Sequence, residues 1–169
     1  VYDQEFNFQS KGTYSLPDKI VKITGDDQGE MEYIADIYAK PTLAQIDKNM
    51  QTLGWTKAAV DVADVQILPA AWTTTTVYYW GYWGSYYCWY YPYYCGGGWY
   101  YPYYPTYSSV TTGSMIMNMV DPKTENPMGN KKVVWSGIIN GLFQNSYNAT
   151  RVNNAIDQAF KQSAYLNTK

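Results

Sequence analysis

The segment PTLAQIDKNMQTLGW, residues 41–55, decides how the rest of the chain folds. Thr42, followed three residues later by Gln45, matches a capping box and predicts a helix that begins there. Gly54 is a typical left-handed stop for that helix. Apolar side chains recur at helical spacing on one face, namely Leu43, Ile46, Met50 and Leu53. An amphipathic helix buries its apolar face on another element, so we expect the flanking segments to form a sheet.

The residues before this helix show the alternation of short strands. Phe6 and Phe8 fall on one side of an extended chain and Asn7 on the other, which predicts an opening strand. A turn at Lys11-Gly12 and a short strand over 13–16 follow.

Two longer strands are predicted after the helix. Residues 64–79 are rich in β-branched and aromatic types, with a bend expected at Pro69. Residues 107–122 alternate, with Met115, Met117 and Met119 on one face and Ile116, Asn118 and Val120 on the other. We expect these two strands to pair, so that the aromatic tract, defined as residues 78–107, is the long connection of a hairpin.

A further strand and a helix are predicted in the last third of the chain. The strand covers residues 130–143, with Val133, Trp135 and Ile139 on one face. The helix follows Asn148 and carries an apolar face of Val152, Ile156, Ala159 and Phe160. Asn148 starts a triplet that matches a glycosylation acceptor, but a helix cap is the interpretation that the pattern favours.

The order of elements is strands, helix, three strands, helix. It predicts an α+β class, in which two helices cover one face of a mostly antiparallel sheet and a long Tyr/Trp-rich hairpin extension leaves it. The length of 169 residues suits a single domain, over 1–169.

Composition excludes several classes of function. The chain has no histidine, which removes the Ser-His and Cys-His nucleophile arrangements and the usual zinc ligand sets. A formal net charge of −2 offers no basic patch for a nucleic-acid backbone. No run of about 18 apolar residues occurs, so no membrane-spanning helix is predicted. No metal or cofactor is predicted.

The densest acidic cluster consists of Asp26, Asp27, Glu30 and Glu32. Its spacing does not match a helix-loop-helix calcium loop, so a solvated turn is the favoured interpretation. A weak cation site is the alternative. A carboxylate-dependent enzyme that acts through Asp26 or Glu30 is the alternative function.

The aromatic tract contains only Tyr, Trp, Gly, Pro, Cys, Ser and Thr. Three interpretations are open: a recognition surface whose rings stack on sugars or peptides, a membrane-interface contact, or a low-complexity loop with no defined ligand. The candidate binding residues are Trp80, Trp83, Trp89, Tyr90, Tyr91, Trp99, Tyr100 and Tyr101.

Cys88 and Cys95, the only cysteines, lie within this tract. A disulfide that closes a small ring is the favoured interpretation, since two isolated cysteines in a turn-rich, uncharged loop can pair. Two reduced thiols, or an incomplete metal or redox site, are the alternatives.

The segments outside the tract resemble the bacterial cell-envelope lipoprotein family known as domain of unknown function 4136. The resemblance rests on the order and spacing of four pieces: YDQEFNFQSKGTYSLPD at 2–18, LGW at 53–55, VVWSGIINGLF at 133–143 and RVNNAIDQAFKQSAYL at 151–166. Members often carry a Tyr-, Trp-, Gly- and Pro-rich insertion before the last strands. The resemblance implies an exported protein, tethered to a membrane by lipid on a Cys that precedes Val1, with no catalytic residues.

We therefore expect a non-enzymatic domain located in the cell envelope, on the periplasmic side or the cell surface. If the carboxylates are catalytic instead, the alternative is an enzyme acting on an envelope polymer. Its aromatic extension would contact a glycan, an envelope protein or the membrane surface. A large exposed aromatic patch is also compatible with self-association.

Overall fold

A computed structural model of the chain describes residues 1–24, 32–73, 76–79, 90, 99–102, 107–110, 112–143 and 146–169. The described strands are β1 (Thr13–Ser15), β2 (Val21–Ile23), β3 (Thr56–Lys57), β4 (Val65–Trp72), β5 (Thr76–Tyr79), β6 (Trp99–Tyr100), β7 (Tyr107–Val110), β8 (Ser114–Glu125) and β9 (Lys131–Ile139). The α-helices are α1 (Asp36–Thr52) and α2 (Ala149–Lys161), and short 3-10 helices cover Phe8–Ser10 and Ala164–Leu166.

The main sheet has the strand order β3-β1-β4-β8-β9-β6, and β2 also pairs with β4. The predicted α+β class is confirmed, but the sheet is mixed. The central pairs β4-β8 and β8-β9 are antiparallel, whereas β1, β2, β3 and β6 join by parallel pairing. The parallel pairs of β1 and β2 with β4 have a physical cause, because α1 lies between them in the chain and acts as a crossover connection.

Helix α1 begins earlier than the capping-box pattern predicts. It starts at Asp36, and the hydroxyl of Thr42 donates a hydrogen bond to the carbonyl of Tyr38, one turn back, instead of capping the helix. Pro41 lies inside the helix. The predicted boundary was wrong because the Thr-x-x-Gln spacing of a capping box also occurs inside a helix, where a Thr hydroxyl can bond back to the carbonyl four residues earlier. The predicted stop is confirmed, since Gly54 has a φ of 95°.

The opening strand predicted around Phe6 is also wrong, because the chain turns into a 3-10 helix at Phe8. The Phe6 and Phe8 rings do meet, edge to face, with centroids 4.9 Å apart. The ring of Tyr2 stacks on Tyr165 at 3.7 Å between centroids. Residues 1–3 pair with the last long strand of the sheet through an antiparallel bridge between Tyr2 and Trp135, and ring packing takes the place of strand pairing only at Phe6 and Phe8.

The two helices pack on one face of the sheet, as predicted. The first core combines residues of both helices with the odd-numbered side chains of β4 and β8: Ile46, Met50, Val152, Ile156, Phe160, Val65, Ile67, Met115, Met117 and Met119. The cap predicted for α2 is confirmed, since the backbone N–H of Arg151 donates to Asn148 Oδ1 at 2.9 Å.

The opposite face of the sheet is buried as well. A second core contains Ile23, Leu68, Ala70, Trp72, Ile116, Val120 and Val133, together with Trp99 and Tyr101 from the aromatic tract. The predicted alternation of β8 is thereby confirmed, because its two sets of side chains enter two different cores. All eight residues of β4 are buried, which is typical of a strand covered on both faces.

Strand β9 contains a bulge that divides the predicted apolar face. Met119 pairs with Trp135 and Val120 with Val133, so Val134 is an extra residue on β9. Trp135 and Ile139 face the first core, as predicted, but Val133 faces the second. The prediction for Val133 was wrong because a bulge reverses the alternation and leaves no mark in the apolar pattern.

Candidate functional site

The aromatic tract begins and ends in a second, two-stranded sheet. β5 and β7 pair antiparallel, from Thr76 with Val110 to Tyr79 with Tyr107. These strands continue the β4-β8 hairpin, since the N–H of Gly113 donates to the carbonyl of Trp72 at 2.7 Å at the base. The predicted hairpin extension therefore exists, and residues 80–106 connect its two strands.

The C-terminal part of the tract returns to the main sheet. Trp99 and Tyr100 pair in parallel with Lys131 and Lys132 on β9. Trp99 is 4% exposed and Tyr101 is 2% exposed, while Tyr100 is half-buried. Two of the candidate binding residues thus lie inside the second core, and their rings pack on the sheet.

A buried polar network holds Tyr101 in this position. The side-chain amide of Asn118 on β8 donates to the Tyr101 hydroxyl at 3.1 Å, and the Asn118 carbonyl accepts from the hydroxyl of Ser136 on β9 at 2.7 Å. Asn118 is fully buried, so both bonds replace hydrogen bonds to water. The network joins the tract to two strands of the main sheet.

Tyr90 contacts the sheet at a third point. β1 pairs with β4 as far as Gln66, and β2 pairs with it from Ala70. Pro69 therefore lies beside the gap between β1 and β2. No neighbouring strand is described there to accept a backbone hydrogen bond, so the missing amide hydrogen of proline costs nothing. The hydroxyl of Tyr90 donates to the carbonyl of Pro69 in this gap.

The remaining predicted site residues fall outside the described residues: Trp80, Trp83, Trp89, Tyr91, Cys88, Cys95, Asp26, Asp27 and Glu30. Glu32, the fourth member of the acidic cluster, is described and forms an ion pair with Lys22 at 2.7 Å. Within the described residues no group of three or more acidic or cysteine side chains could hold a metal ion.

Sequence reasoning missed the role of Asn118 as the anchor of the tract. The signal is present in the run SMIMNMV, because an amide in an otherwise apolar strand needs a buried partner. The pattern does not show which hydroxyl supplies that partner, since Tyr101 lies outside the local sequence.

A groove opens beside the base of the hairpin extension. It has a volume of about 260 Å³ and is lined by Ile34, Tyr38, Phe143, Ser146 and Tyr147. The Tyr38 and Tyr147 rings lie 4.7 Å apart between centroids, with 41° between their planes. The N–H of Phe143 donates to the carbonyl of Gly113 at 2.7 Å, which fixes one side of the groove to the hairpin base. We call it the Tyr38 groove.

At the other end of the sheet, Asp64 joins three elements. Its carboxylate accepts from the N–H groups of Gly12 and Thr13, from the Thr13 hydroxyl and from Lys123 Nζ at 3.0–3.2 Å. Burial alone would raise the pKa of Asp64, but the donors from Gly12, Lys123 and Thr13 outweigh it and lower the pKa to about 2. Asp64 is therefore ionised at neutral pH, and its role is to hold these elements together through its hydrogen bonds.

Neither described helix combines the length and the apolar composition needed to cross a lipid bilayer.

Comparison with known proteins gives the family of the chain. The sequence profile of the domain of unknown function DUF4136 matches residues 1–163. No curated protein matches the chain. The crystal structure of a DUF4136 family protein from Bacteroides thetaiotaomicron is 34% identical, with a TM-score of 0.76, over 100% of this chain and 96% of that one. Profile, sequence identity and fold therefore agree over almost the whole chain, which belongs to the DUF4136 family.

Proposed function

We propose that this chain is a non-enzymatic lipoprotein domain of the cell envelope that acts as a binding or structural module. Its contact surface lies in the aromatic tract, among residues other than Tyr90, Trp99 and Tyr101, which contact the sheet. The partner is a glycan, an envelope protein or the membrane surface, all of which suit uncharged rings with polar tips.

One observation carries this proposal: the tract is attached to the fold at several separate points. The β5-β7 pairing holds its two ends, Tyr90 contacts Pro69, and Tyr101 bonds to Asn118. A segment attached in this way loses less conformational entropy when it binds a partner than a free loop of equal length does. Anchoring a segment at this many points favours a positioned contact surface over a loop with no ligand.

The absence of histidine from the chain supports a binding role rather than catalysis. Familiar nucleophilic mechanisms need an adjacent base, which is most often histidine. A binding module needs only a surface of suitable shape and chemistry.

The first experiment must leave the fold intact. Replacing all of 78–107 with a linker would remove Trp99 and Tyr101 from the second core, so loss of binding would not separate function from folding. We instead substitute Trp80, Trp83 and Trp89 with Ser and keep Tyr90 and residues 99–101.

The readout is retention of envelope and cell-wall components on immobilised protein, together with flotation of the chain on liposomes. The matched control is the double variant Val62→Ser, Met128→Ser, since both side chains are highly exposed and lie outside the tract. We expect the triple variant to lose the partner and the control to retain it. Equal retention by both variants would refute the tract as the contact surface.

Location is tested separately, by fractionating cells that make the full-length protein with a tag at its C-terminus. We expect the protein in the membrane fraction, released by detergent. Recovery in the cytosol would contradict the envelope part of the proposal.

A further inference from the structure

We infer that the Tyr38 groove is a second binding site, and that it takes one neutral sugar ring of a glycan. This inference concerns a site outside the aromatic tract and does not depend on what the tract binds. It rests on the shape, lining and charge of the groove.

The walls of the groove are aromatic. Three of its five described lining residues, Tyr38, Phe143 and Tyr147, present rings, and Ile34 adds an aliphatic side. Tyr38 is 41% exposed, so part of its surface is available to a ligand. The C–H faces of a pyranose ring are apolar and pack on such surfaces, as other rings do.

The groove also carries hydroxyl groups. Three of the five described lining residues, Tyr38, Ser146 and Tyr147, carry a hydroxyl. The Tyr147 hydroxyl is shielded from solvent, so the hydroxyls open to a ligand are those of the exposed residues Tyr38 and Ser146. Each can exchange a hydrogen bond to water for one to a sugar hydroxyl. A purely apolar ligand would instead leave these groups without partners.

Charge selects a neutral ligand. None of the described lining residues is acidic or basic. The charged side chains two residues before and after Tyr38 in the chain, Asp36 and Lys40, pair with each other at 3.3 Å. A charged ligand entering the groove would lose water without gaining an ion pair, which is unfavourable. The volume of about 260 Å³ admits one sugar ring, so the remainder of a chain would lie outside.

The test measures binding of three probes of equal length: cellotetraose, chitotetraose and tetragalacturonate. The first two are neutral and the third is anionic. Binding is followed by saturation-transfer NMR on the intact chain. We expect saturable binding of at least one neutral probe and at least tenfold weaker binding of the anionic one.

Two variants locate the site. Tyr38→Ala removes an exposed wall and should weaken binding of the neutral probe at least tenfold. Ile37→Ala is the matched control, since it changes the neighbouring residue of the same helix, is 72% exposed and does not line the groove. It should bind as the unmodified chain does. Ser146→Ala, which removes only a hydroxyl, gives a second variant if Tyr38→Ala does not fold.

The inference is overturned by no saturation with either neutral probe, by equal binding of tetragalacturonate, or by equal weakening in Ile37→Ala. The variants distinguish the two proposals, because Tyr38→Ala leaves Trp80, Trp83 and Trp89 unchanged. Binding of a neutral probe that Tyr38→Ala does not weaken would overturn the groove as the site and leave the tract proposal standing.

Discussion

At the scale of single residues, the bond between Tyr101 and Asn118 fixes the end of the aromatic tract on the sheet. Tyr101→Phe keeps the ring in the second core but leaves the buried Asn118 amide without this acceptor. We expect the free energy of unfolding to fall by about 1–3 kcal/mol, measured by urea denaturation.

Tyr100→Phe is the control for that change, because Tyr100 is the half-buried neighbour in the same strand. It should alter stability by less than about 0.5 kcal/mol. Equal effects of the two variants would show that the Asn118 contact contributes nothing specific.

Gly137 permits the packing of Trp135. A Cβ atom at Gly137 would lie 2.7 Å from Cη2 and 2.8 Å from Cζ2 of the Trp135 indole. That ring is buried, and its Nε1 donates to Ser163 at 3.0 Å, so it cannot move without losing a bond. We expect Gly137→Ala to destabilise the chain by about 1–3 kcal/mol in thermal or urea unfolding.

Gly12→Ala provides the comparison, because a Cβ there meets nothing within 4 Å and the backbone N–H that bonds Asp64 is retained. It should be neutral or slightly stabilising. A Gly137→Ala variant as stable as Gly12→Ala would mean that the indole has room to shift.

At the scale of elements, the parts that were predictable from sequence are those whose signal is local. The face of α2 and its Asn148 cap lie within one short segment, and the alternation of β8 lies within another. The start of α1 was missed because Thr42 and Gln45 have the spacing of a capping box although both lie inside the helix. The face of Val133 was missed because the bulge depends on how β8 and β9 pair.

Asp64 connects β1, the start of β4 and β8. Because its pKa is shifted in the folded chain, the contribution of these contacts to the free energy of unfolding depends on pH. The pKa is lowered from 3.8 to about 2, so the ionised form stabilises the fold above pH 4. That contribution is lost as the pH falls from 4 towards 2. Since the carboxylate is partly exposed, we expect a magnitude on the order of 1 kcal/mol.

The comparison that isolates this effect is between the unmodified chain and Asp64→Asn. The difference in their free energies of unfolding should be largest near pH 5–6 and shrink as the pH approaches 2. Lys123→Ala should have a smaller effect, because its ion pair with Asp64 is the most exposed of the contacts. A difference that does not change with pH would exclude the ionised carboxylate as its cause.

At the scale of the whole molecule, the two faces of the main sheet are covered by segments of different composition. Two amphipathic helices cover one face, and residues of an uncharged Tyr- and Trp-rich segment cover the other. The second cover was not predictable from local pattern, because the tract has no apolar periodicity and Trp99 and Tyr101 look like their neighbours. Two features of β8 do indicate that its second face is buried: Asn118 needs a buried hydrogen-bond partner, and the residues beside it on that face are apolar.

Part of the tract therefore stabilises the fold. We expect different effects on stability from replacing the whole tract and from substituting three of its tryptophans. Replacing 78–107 with a Gly-Ser linker exposes Leu68, Ile116 and Val120 and should lower stability by at least about 3 kcal/mol. It should also increase binding of a hydrophobic dye. Trp80→Ser, Trp83→Ser, Trp89→Ser leaves Trp99 and Tyr101 in place, and we expect its unfolding midpoint to stay near that of the unmodified chain. Equal stability of the linker variant and the unmodified chain would contradict the covering role, since a sheet with one face open would then be as stable as the closed fold.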